Sequence, residues 1–313
     1  MTDLATAQAP KLEEWRKGAP SVRRERRRFI ALMLVPATAL LLLLTLFPFF
    51  SSLGISLMNY SLMTPGKARF IALGNYLKLL STPDFWRTVQ VTVVFTVATV
   101  VIELALGLLI AVLLHQEKRS FGPLRTAYIL PMAVTPVAAT FTWRIMYNPS
   151  IGVLNYLLSL VGIPPQTWLA DPKLALPSLV MVDVWQWTPF MLLILMSGLA
   201  ALPTEPFEAA RVDGANEWQS FRDLALPMLR PFILVAVLFR SIDAFKTFDI
   251  IYVLTGGGPG YATYTTNLYA FKQGIEYLNM GYAAAIAILM LIATTIFARA
   301  LLRRTTLLGS QGL

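Results

Sequence analysis

Long runs of apolar residues recur along this chain, and shorter polar intervals separate them. The runs lie at 29–50, 88–114, 124–146, 177–199, 229–253 and 281–302. A helix needs about 20 apolar residues to cross the roughly 30 Å hydrocarbon core of a bilayer. A helix also bonds its own backbone polar groups, which the core requires. The runs therefore predict an all-α polytopic membrane protein with six transmembrane helices.

The composition supports the membrane class and argues against two others. Charged residues make up only 14% of the chain, whereas a soluble domain has about 25%. The net charge of +9 does not indicate nucleic-acid binding, because much of it lies in the N-terminal tail or near the ends of apolar runs, as membrane topology requires. The chain has no Cys, and His115 is its single His, which argues against thiolate and imidazole metal sites.

The distribution of basic residues predicts the orientation. The polar segment 1–28 ends in five arginines between Arg23 and Arg28, and we interpret this cluster as a cytoplasmic topology signal. The run after it exceeds the 7–15 apolar residues of a signal peptide, so we expect a retained first helix and cytoplasmic N- and C-termini. The predicted parts are a basic tail 1–28, a first helix 29–57, an extracytoplasmic loop 58–87, a five-helix core 88–302 and a cytoplasmic tail 303–313.

The polar interval 200–228 lies between the fourth and fifth runs and faces the cytoplasm in this topology. Thr204 is a candidate N-cap, and two acidic residues follow it, as suits the positive end of a helix dipole. Gly214 is expected to end this helix, because glycine adopts the left-handed conformation of a helix end without strain. A second short helix is predicted from about 215 to 224, and Pro227 turns the chain back to the fifth run.

Residues of this interval carry a recognisable spacing. Glu208-Ala209-Ala210 is followed after three residues by Gly214 and after nine more by Leu224-Ala225-Leu226-Pro227. The pattern resembles the signature cytoplasmic loop of ABC-importer permeases, with Leu224 in place of the usual Ile. Asp213-Gly214-Ala215 resembles the carbohydrate branch of that family. The resemblance implies a site for docking an ATPase subunit, formed by Phe207, Glu208, Ala209, Ala210, Asp213, Gly214, Ala215, Leu226 and Pro227.

A second resemblance narrows the family. The stretch from Asp249 to Gly260 and the start of the last run at 281–285 are similar to those of maltose-type sugar permeases, specifically the first of their two permease subunits. This implies an inner-membrane subunit of a carbohydrate importer that works by alternating access. The implied partners are a second homologous permease, two ATPase subunits and an extracytoplasmic solute-binding protein.

The sequence lacks the pattern Gly-x4-Gly-Lys-Ser/Thr that would hold ATP phosphates. We therefore expect that this chain is not an enzyme and binds no cofactor itself. ATP and Mg²⁺ would be used by the separate ATPase subunits.

Charged residues inside the apolar runs, together with an aromatic residue one turn from Asp183, are candidates for the substrate path. Asp183 and Trp187 lie in the fourth run, and Arg240, Asp243 and Lys246 lie in the fifth. Because a charge inside the membrane is costly, these groups should face the interior of the helix bundle. Spacing of three residues allows Arg240 to pair with Asp243, and Asp243 with Lys246. Two interpretations stay open: the groups line a sugar path or gate, or they form a structural ion-pair ladder at a subunit interface.

Other functions remain as alternatives. The same machinery could import a polyol or glycerol phosphate, for which Arg240 and Lys246 are the candidate basic residues in the pore. An ion-coupled secondary transporter would usually show internal repeats and more helices. A membrane enzyme finds no support, because no cluster of His, Cys or carboxylates has the spacing of a metal or nucleophile site.

Overall fold

The computed structural model describes residues 20–116 and 122–309. Most of the basic tail (1–19), the loop residues Lys118 and Arg119, and residues 310–313 therefore lie outside the described part. The chain divides into two compact units between Gly54 and Ile55.

The first unit consists largely of one long helix. Helix α1 spans Pro20–Ser56, so it begins within the predicted polar tail rather than at residue 29, and it ends one residue before the predicted end. Every side chain from 28 to 50 is exposed, although this stretch is almost entirely apolar. A helix that is apolar on all sides and exposed in isolation is suited to a lipid or protein environment.

The second unit is helical except for one small antiparallel pair of strands. Its elements, in chain order, are β1 (Met58–Asn59), a 3₁₀ turn (Pro65–Lys67), β2 (Arg69–Phe70), α2 (Gly74–Leu80), α3 (Pro83–Gln116), α4 (Gly122–Ala133), α5 (Pro136–Met146), α6 (Val153–Leu160), α7 (Ala175–Ala200), α8 (Glu205–Val212), α9 (Glu217–Ser220), a π-helical turn (Phe221–Ala225), α10 (Leu226–Met228), α11 (Arg230–Phe245), α12 (Asp249–Leu254), α13 (Thr266–Phe271), a second π-helical turn (Lys272–Glu276) and α14 (Met280–Gly309).

Four of the described helices are long and apolar enough to cross a membrane, within α1, α3, α7 and α14. Two bent pairs meet the same criteria jointly: α4 with α5 at an angle of 100°, and the segment 217–228 with α11 at 62°. The described chain thus provides four membrane helices, or up to six if each bent pair counts as one span.

The third predicted span, 124–146, is not one kinked helix. It breaks after Ala133 and resumes at Pro136. The ring of a proline disfavours the helical conformation for the residue before it, and Thr135 is accordingly extended, with φ −61° and ψ 137°. The span is therefore broken into two helices that meet at 100°.

The fifth predicted span, 229–253, is also interrupted. Helix α11 ends at Phe245, and the separate short helix α12 begins at Asp249. The last turn closes with a bond from the Lys246 backbone N–H to the Asp243 carbonyl at 3.0 Å. The freed carbonyl of Lys246 accepts a bond from Asn267 Nδ2 at 2.6 Å, so a partner outside the helix compensates for the break.

Helices α3, α7 and α11 form the centre of the second unit, and two glycines allow their close approach. A Cβ atom on Gly107 of α3 would lie 2.7 Å from Met191 Cβ of α7. A Cβ atom on Gly198 of α7 would lie 2.7 Å from Phe232 Cγ of α11. Real Cβ atoms do not tolerate such distances, so only glycine permits this packing of the three helices.

Candidate functional site

Helix α8 is an exposed helix with a well-defined C-terminal end. None of its residues, Glu205–Val212, is buried. At its end Ala215 N–H donates to the Ala210 carbonyl at 2.9 Å, and Gly214 N–H donates to the Arg211 carbonyl at 3.2 Å. This pair of bonds is the Schellman motif, and Gly214 takes the required left-handed conformation with φ +81°. The prediction that Gly214 ends this helix is confirmed.

A second helix follows immediately, as predicted, but starts at Glu217 and includes a π-helical turn. Asn216 and Gln219 form a capping box: Gln219 N–H donates to Asn216 Oδ1 at 2.9 Å, and Asn216 N–H donates to Gln219 Oε1 at 2.8 Å. Thr204 occupies the N-cap position of α8, but its side chain makes no capping bond. The N-terminus of α8 therefore has no side-chain cap, whereas that of α9 is capped by Asn216, which sequence reasoning did not single out.

The residues predicted to dock an ATPase subunit lie within 207–215 and at 226–227, and they differ in exposure. Glu208, Ala209, Asp213 and Gly214 are exposed, whereas Phe207, Ala210, Ala215, Leu226 and Pro227 are half-buried. Two apolar residues outside the predicted set are more prominent, since Val212 is 88% and Trp218 is 65% exposed. Their exposure in polar surroundings is typical of a protein-binding surface.

A second constellation lies inside the unit, around the guanidinium of Arg240. Its Nε bonds Glu103 Oε2 at 2.7 Å, and its Nη2 bonds Glu103 Oε1 at 3.0 Å. Nη2 also bonds the carboxylate of Asp183, and Nη1 bonds Asp243 Oδ2 at 3.1 Å. Arg240 is 1% exposed, and Glu103 and Asp183 are fully buried. The arginine therefore connects α3, α7 and α11 by charge-assisted bonds, and its pairing with Glu103 is bidentate.

Neighbouring residues of α7 complete this buried cluster. The guanidinium carbon of Arg240 lies 5.3 Å from the centroid of the half-buried Trp187 ring, within the range of a cation–π contact. Gln186, which is 1% exposed, donates from Nε2 to the carbonyl of Val134 at 3.1 Å. That carbonyl belongs to the break between α4 and α5, so a side chain of α7 supplies the hydrogen bond that the broken helix lacks.

The structure brings together some of the predicted substrate-path residues and separates others. The predicted pairing of Arg240 with Asp243 is confirmed. Asp243 and Lys246 are exposed, and no ion pair joins them among the residues that the structure describes. Asp183 lies inside α7 and is fully buried.

Glu103 is the partner of Arg240 that sequence reasoning did not assign. The signal was present, because Glu103 is the one charged residue in the apolar run 88–114. A buried charge needs a counterion. The sequence does not say which of the basic residues, more than 130 positions away, supplies it.

Chemically, the cluster is a closed arrangement of ion pairs. All three guanidinium nitrogens of Arg240 are engaged by carboxylates. No group of three or more His, Cys, Asp or Glu residues in the described ranges 20–116 and 122–309 has the geometry to hold a metal ion. The arrangement is therefore suited to holding helices in place.

Comparison with known proteins identifies the family. The model of the family described as binding-protein-dependent transport system inner membrane component matches residues 104–306. The trehalose/maltose transport system permease protein MalF of Thermococcus litoralis is 40% identical over 269 residues, which is 85% of this chain and 90% of that protein. The trehalose transport system permease protein SugA of Mycobacterium tuberculosis is 36% identical over 264 residues, 84% of each chain.

A further relative and a solved structure agree with this assignment. The sulfoquinovosyl glycerol transport system permease protein SmoG of Agrobacterium fabrum is 34% identical and matches 84% of this chain and 86% of that protein. A chain in the crystal structure of a bacterial alginate ABC transporter in complex with an alginate-pentasaccharide-bound periplasmic protein shares the fold, with a TM-score of 0.76, 22% identity, and coverage of 90% of this chain and 96% of that chain. The chain described here is a member of the family of inner-membrane permease components of binding-protein-dependent ABC transporters.

Proposed function

We propose that this chain is the transmembrane permease subunit of an ATP-driven importer for a carbohydrate, and that it works by alternating access. The observation that carries the proposal is the exposed α8–Gly214–α9 module, which holds the Glu-Ala-Ala-x3-Gly sequence in a defined shape. Relatives named as permeases for trehalose, maltose and sulfoquinovosyl glycerol support a sugar or glycoside as the cargo.

In this proposal α8 is the coupling helix, and it inserts into a cleft of an ATPase subunit. Ala209 is small and exposed, so a partner can approach the helix backbone closely. Val212 and Trp218 offer exposed apolar surface next to it, and aromatic residues are typical anchors of protein interfaces. ATP and Mg²⁺ are bound and used by the ATPase, and this chain holds neither.

The connection from α8 to the bundle gives a route for motion. The chain passes from α9 through α10 directly into α11. Arg240 of α11 is bonded to Glu103 of α3 and to Asp183 of α7. A displacement of the coupling helix by ATP-driven closure of the motor would therefore move α11, α3 and α7 as one body.

The remaining parts of the machine follow from the family. We infer a second homologous permease, two ATPase subunits and an extracytoplasmic binding protein as partners, with the chain in the inner membrane and both termini in the cytoplasm. A polyol or glycerol phosphate remains the alternative cargo, and an ion-coupled secondary transporter is the alternative mechanism. Exposed Lys246 and the exposed carboxylate of Asp243 give no excess of positive charge that would favour a phosphate.

The docking proposal is tested by co-purification from mild detergent. We expect the tagged wild-type chain to bring down an ATPase subunit and a second permease. Ala209→Trp adds bulk to the exposed face of α8 and should release the ATPase while the second permease stays bound. Ser150→Trp adds the same bulk to an exposed residue far along the chain and should release neither. Transport by the purified chain alone, without ATP, would show that the secondary-transporter mechanism is correct instead.

A further inference from the structure

A crevice of about 480 Å³ lies between three connecting segments of the second unit. The segments are the end of α5, the stretch before α7 and the loop that follows α12. Residues that line it and bear on its chemistry are Arg144, Tyr147, Asn148, Thr167, Thr255 and Pro259. None of the residues lining it is acidic. In the proposed topology these segments lie on the extracytoplasmic side.

The walls of the crevice are held by side-chain bonds rather than by regular secondary structure. Asn155, 5% exposed, donates to the carbonyls of Pro149 and Gln166 at 3.0 Å each. Its Oδ1 accepts from Gln166 N–H at 3.0 Å and from Trp168 Nε1 at 2.9 Å. The hydroxyl of Tyr147 donates to the Ser178 carbonyl at 2.8 Å. These bonds fix the two walls before any partner arrives, which lowers the entropic cost of binding.

The third wall is the glycine-rich loop after α12, and it is bonded internally. Thr255 Oγ1 and Thr263 Oγ1 are 2.7 Å apart. Thr263 Oγ1 also donates to the Gly258 carbonyl at 2.8 Å. The loop is therefore a formed wall of the crevice, although it contains no helix or strand.

Arg144 gives the crevice its charge. Its side chain is exposed, and its Nη1 donates to the Val253 carbonyl at 3.2 Å. Among the described residues it forms no ion pair. The acidic residue nearest in sequence to the lining, Asp171, accepts a bond from Lys173 N–H at 2.7 Å. An exposed guanidinium without a carboxylate partner favours an anionic ligand group.

We propose that this crevice binds an acidic side chain on a loop of the extracytoplasmic solute-binding protein. Arg144 would pair with the carboxylate, and Asn148 and Thr167 would contact the loop that carries it. Free sugar is a poorer occupant, because the ring of Tyr147 is 1% exposed and so offers no aromatic face on which a sugar ring could stack. The inference rests on the proposed function, since it requires a binding protein on this side of the membrane.

The test uses the complete transporter in proteoliposomes, with the liganded binding protein titrated while ATP hydrolysis is measured. Arg144→Glu should raise the half-saturating concentration of binding protein by about tenfold or more, the size expected for loss of a central arginine contact. The hydrolysis rate at saturation should stay unchanged, because Arg144 does not contact the buried cluster or α8. Lys173→Glu makes the same charge change on the same side, outside the crevice, and should shift the curve far less.

A second variant controls for the possibility that Arg144→Glu disturbs the fold. Asn148 Oδ1 accepts bonds from Ser150 N–H and Ile151 N–H at 2.9 and 3.2 Å. Asn148→Asp keeps both acceptor bonds and adds one negative charge to the crevice, so it should also raise the half-saturating concentration. Superimposable curves for wild type, Arg144→Glu and Asn148→Asp would overturn the inference. A loss of sugar uptake without a shift of these curves would likewise overturn it, because it would assign the crevice to the sugar.

The two proposals fail in different ways. If the rate of ATP hydrolysis by the wild-type complex does not change when the binding protein is added, the proposed function itself is contradicted. A wild-type complex that responds to the binding protein, with variants that respond identically, would contradict only the role of the crevice.

Discussion

Replacing Arg240 with methionine tests whether the buried cluster holds the helices together. The substitution keeps a long apolar side chain but leaves Glu103 and Asp183, both fully buried, without their counterion. Removal of one partner from a buried ion pair costs about 3–5 kcal/mol. We therefore expect the free energy of unfolding to fall by about 3–5 kcal/mol.

Asp243→Asn is the matched control, since it removes the third carboxylate of the same arginine. The side chain of Asp243 is 53% exposed, so solvent screens this pair, and exposed pairs contribute at most about 1 kcal/mol. Arg240 also keeps its bonds to Glu103 and Asp183 in this variant. We expect the control to lose less than about 1 kcal/mol.

The measurement is unfolding in mixed detergent micelles by titration with SDS, followed by circular dichroism. A triple variant, Arg240→Met with Glu103→Gln and Asp183→Asn, removes the unpaired charges and should recover a large part of the stability lost by Arg240→Met alone. Equal stability of Arg240→Met and Asp243→Asn would refute the reasoning, because burial would then not decide the strength of these pairs.

Two further predictions concern packing and loop structure. Gly198→Ala should destabilise the fold by about 1–3 kcal/mol, because the new Cβ would overlap Phe232 and α7 would have to move away from α11. The control in the same SDS titration is Gly66→Ala, at a glycine with open space around it. Asn155→Leu removes four hydrogen bonds that hold the loop before α7. It should therefore raise the rate of backbone amide hydrogen exchange at Trp168 and its neighbours. Unchanged protection of these amides would show that other contacts hold the loop.

Several features of the fold could be predicted from sequence because they depend on neighbouring residues. The left-handed conformation of Gly214 and the end of α8 follow from local backbone sterics. The break before Pro136 follows from the same kind of constraint. The interruption after Phe245 was not predicted, because its stabilising partner, Asn267, lies outside the helix and more than twenty residues further along the chain.

The candidate site residues also differ in how far the sequence could predict them. The docking residues from Phe207 to Pro227 were predicted as a group, since their signal is a fixed spacing within one short stretch, and their role in docking stays a prediction. The substrate-path candidates were chosen residue by residue, from charge alone. Arg240 proved to be buried and bonded to both Glu103 and Asp183, whereas Lys246 is exposed.

The membrane class, the apolar runs with their approximate limits, the glycine that ends α8 and the family could all be predicted without a structure. These properties depend on composition and local spacing. A bilayer requires apolar segments of a given length, and a helix satisfies the backbone polar groups of such a segment. Three other results required the folded chain: Arg240 bonds Glu103 and Asp183, α4 and α5 meet at 100°, and Arg144 lines a crevice without acidic residues. Each of these results depends on which helices are adjacent, and adjacency is set by packing between segments distant in the chain, such as the contacts of Gly107 and Gly198.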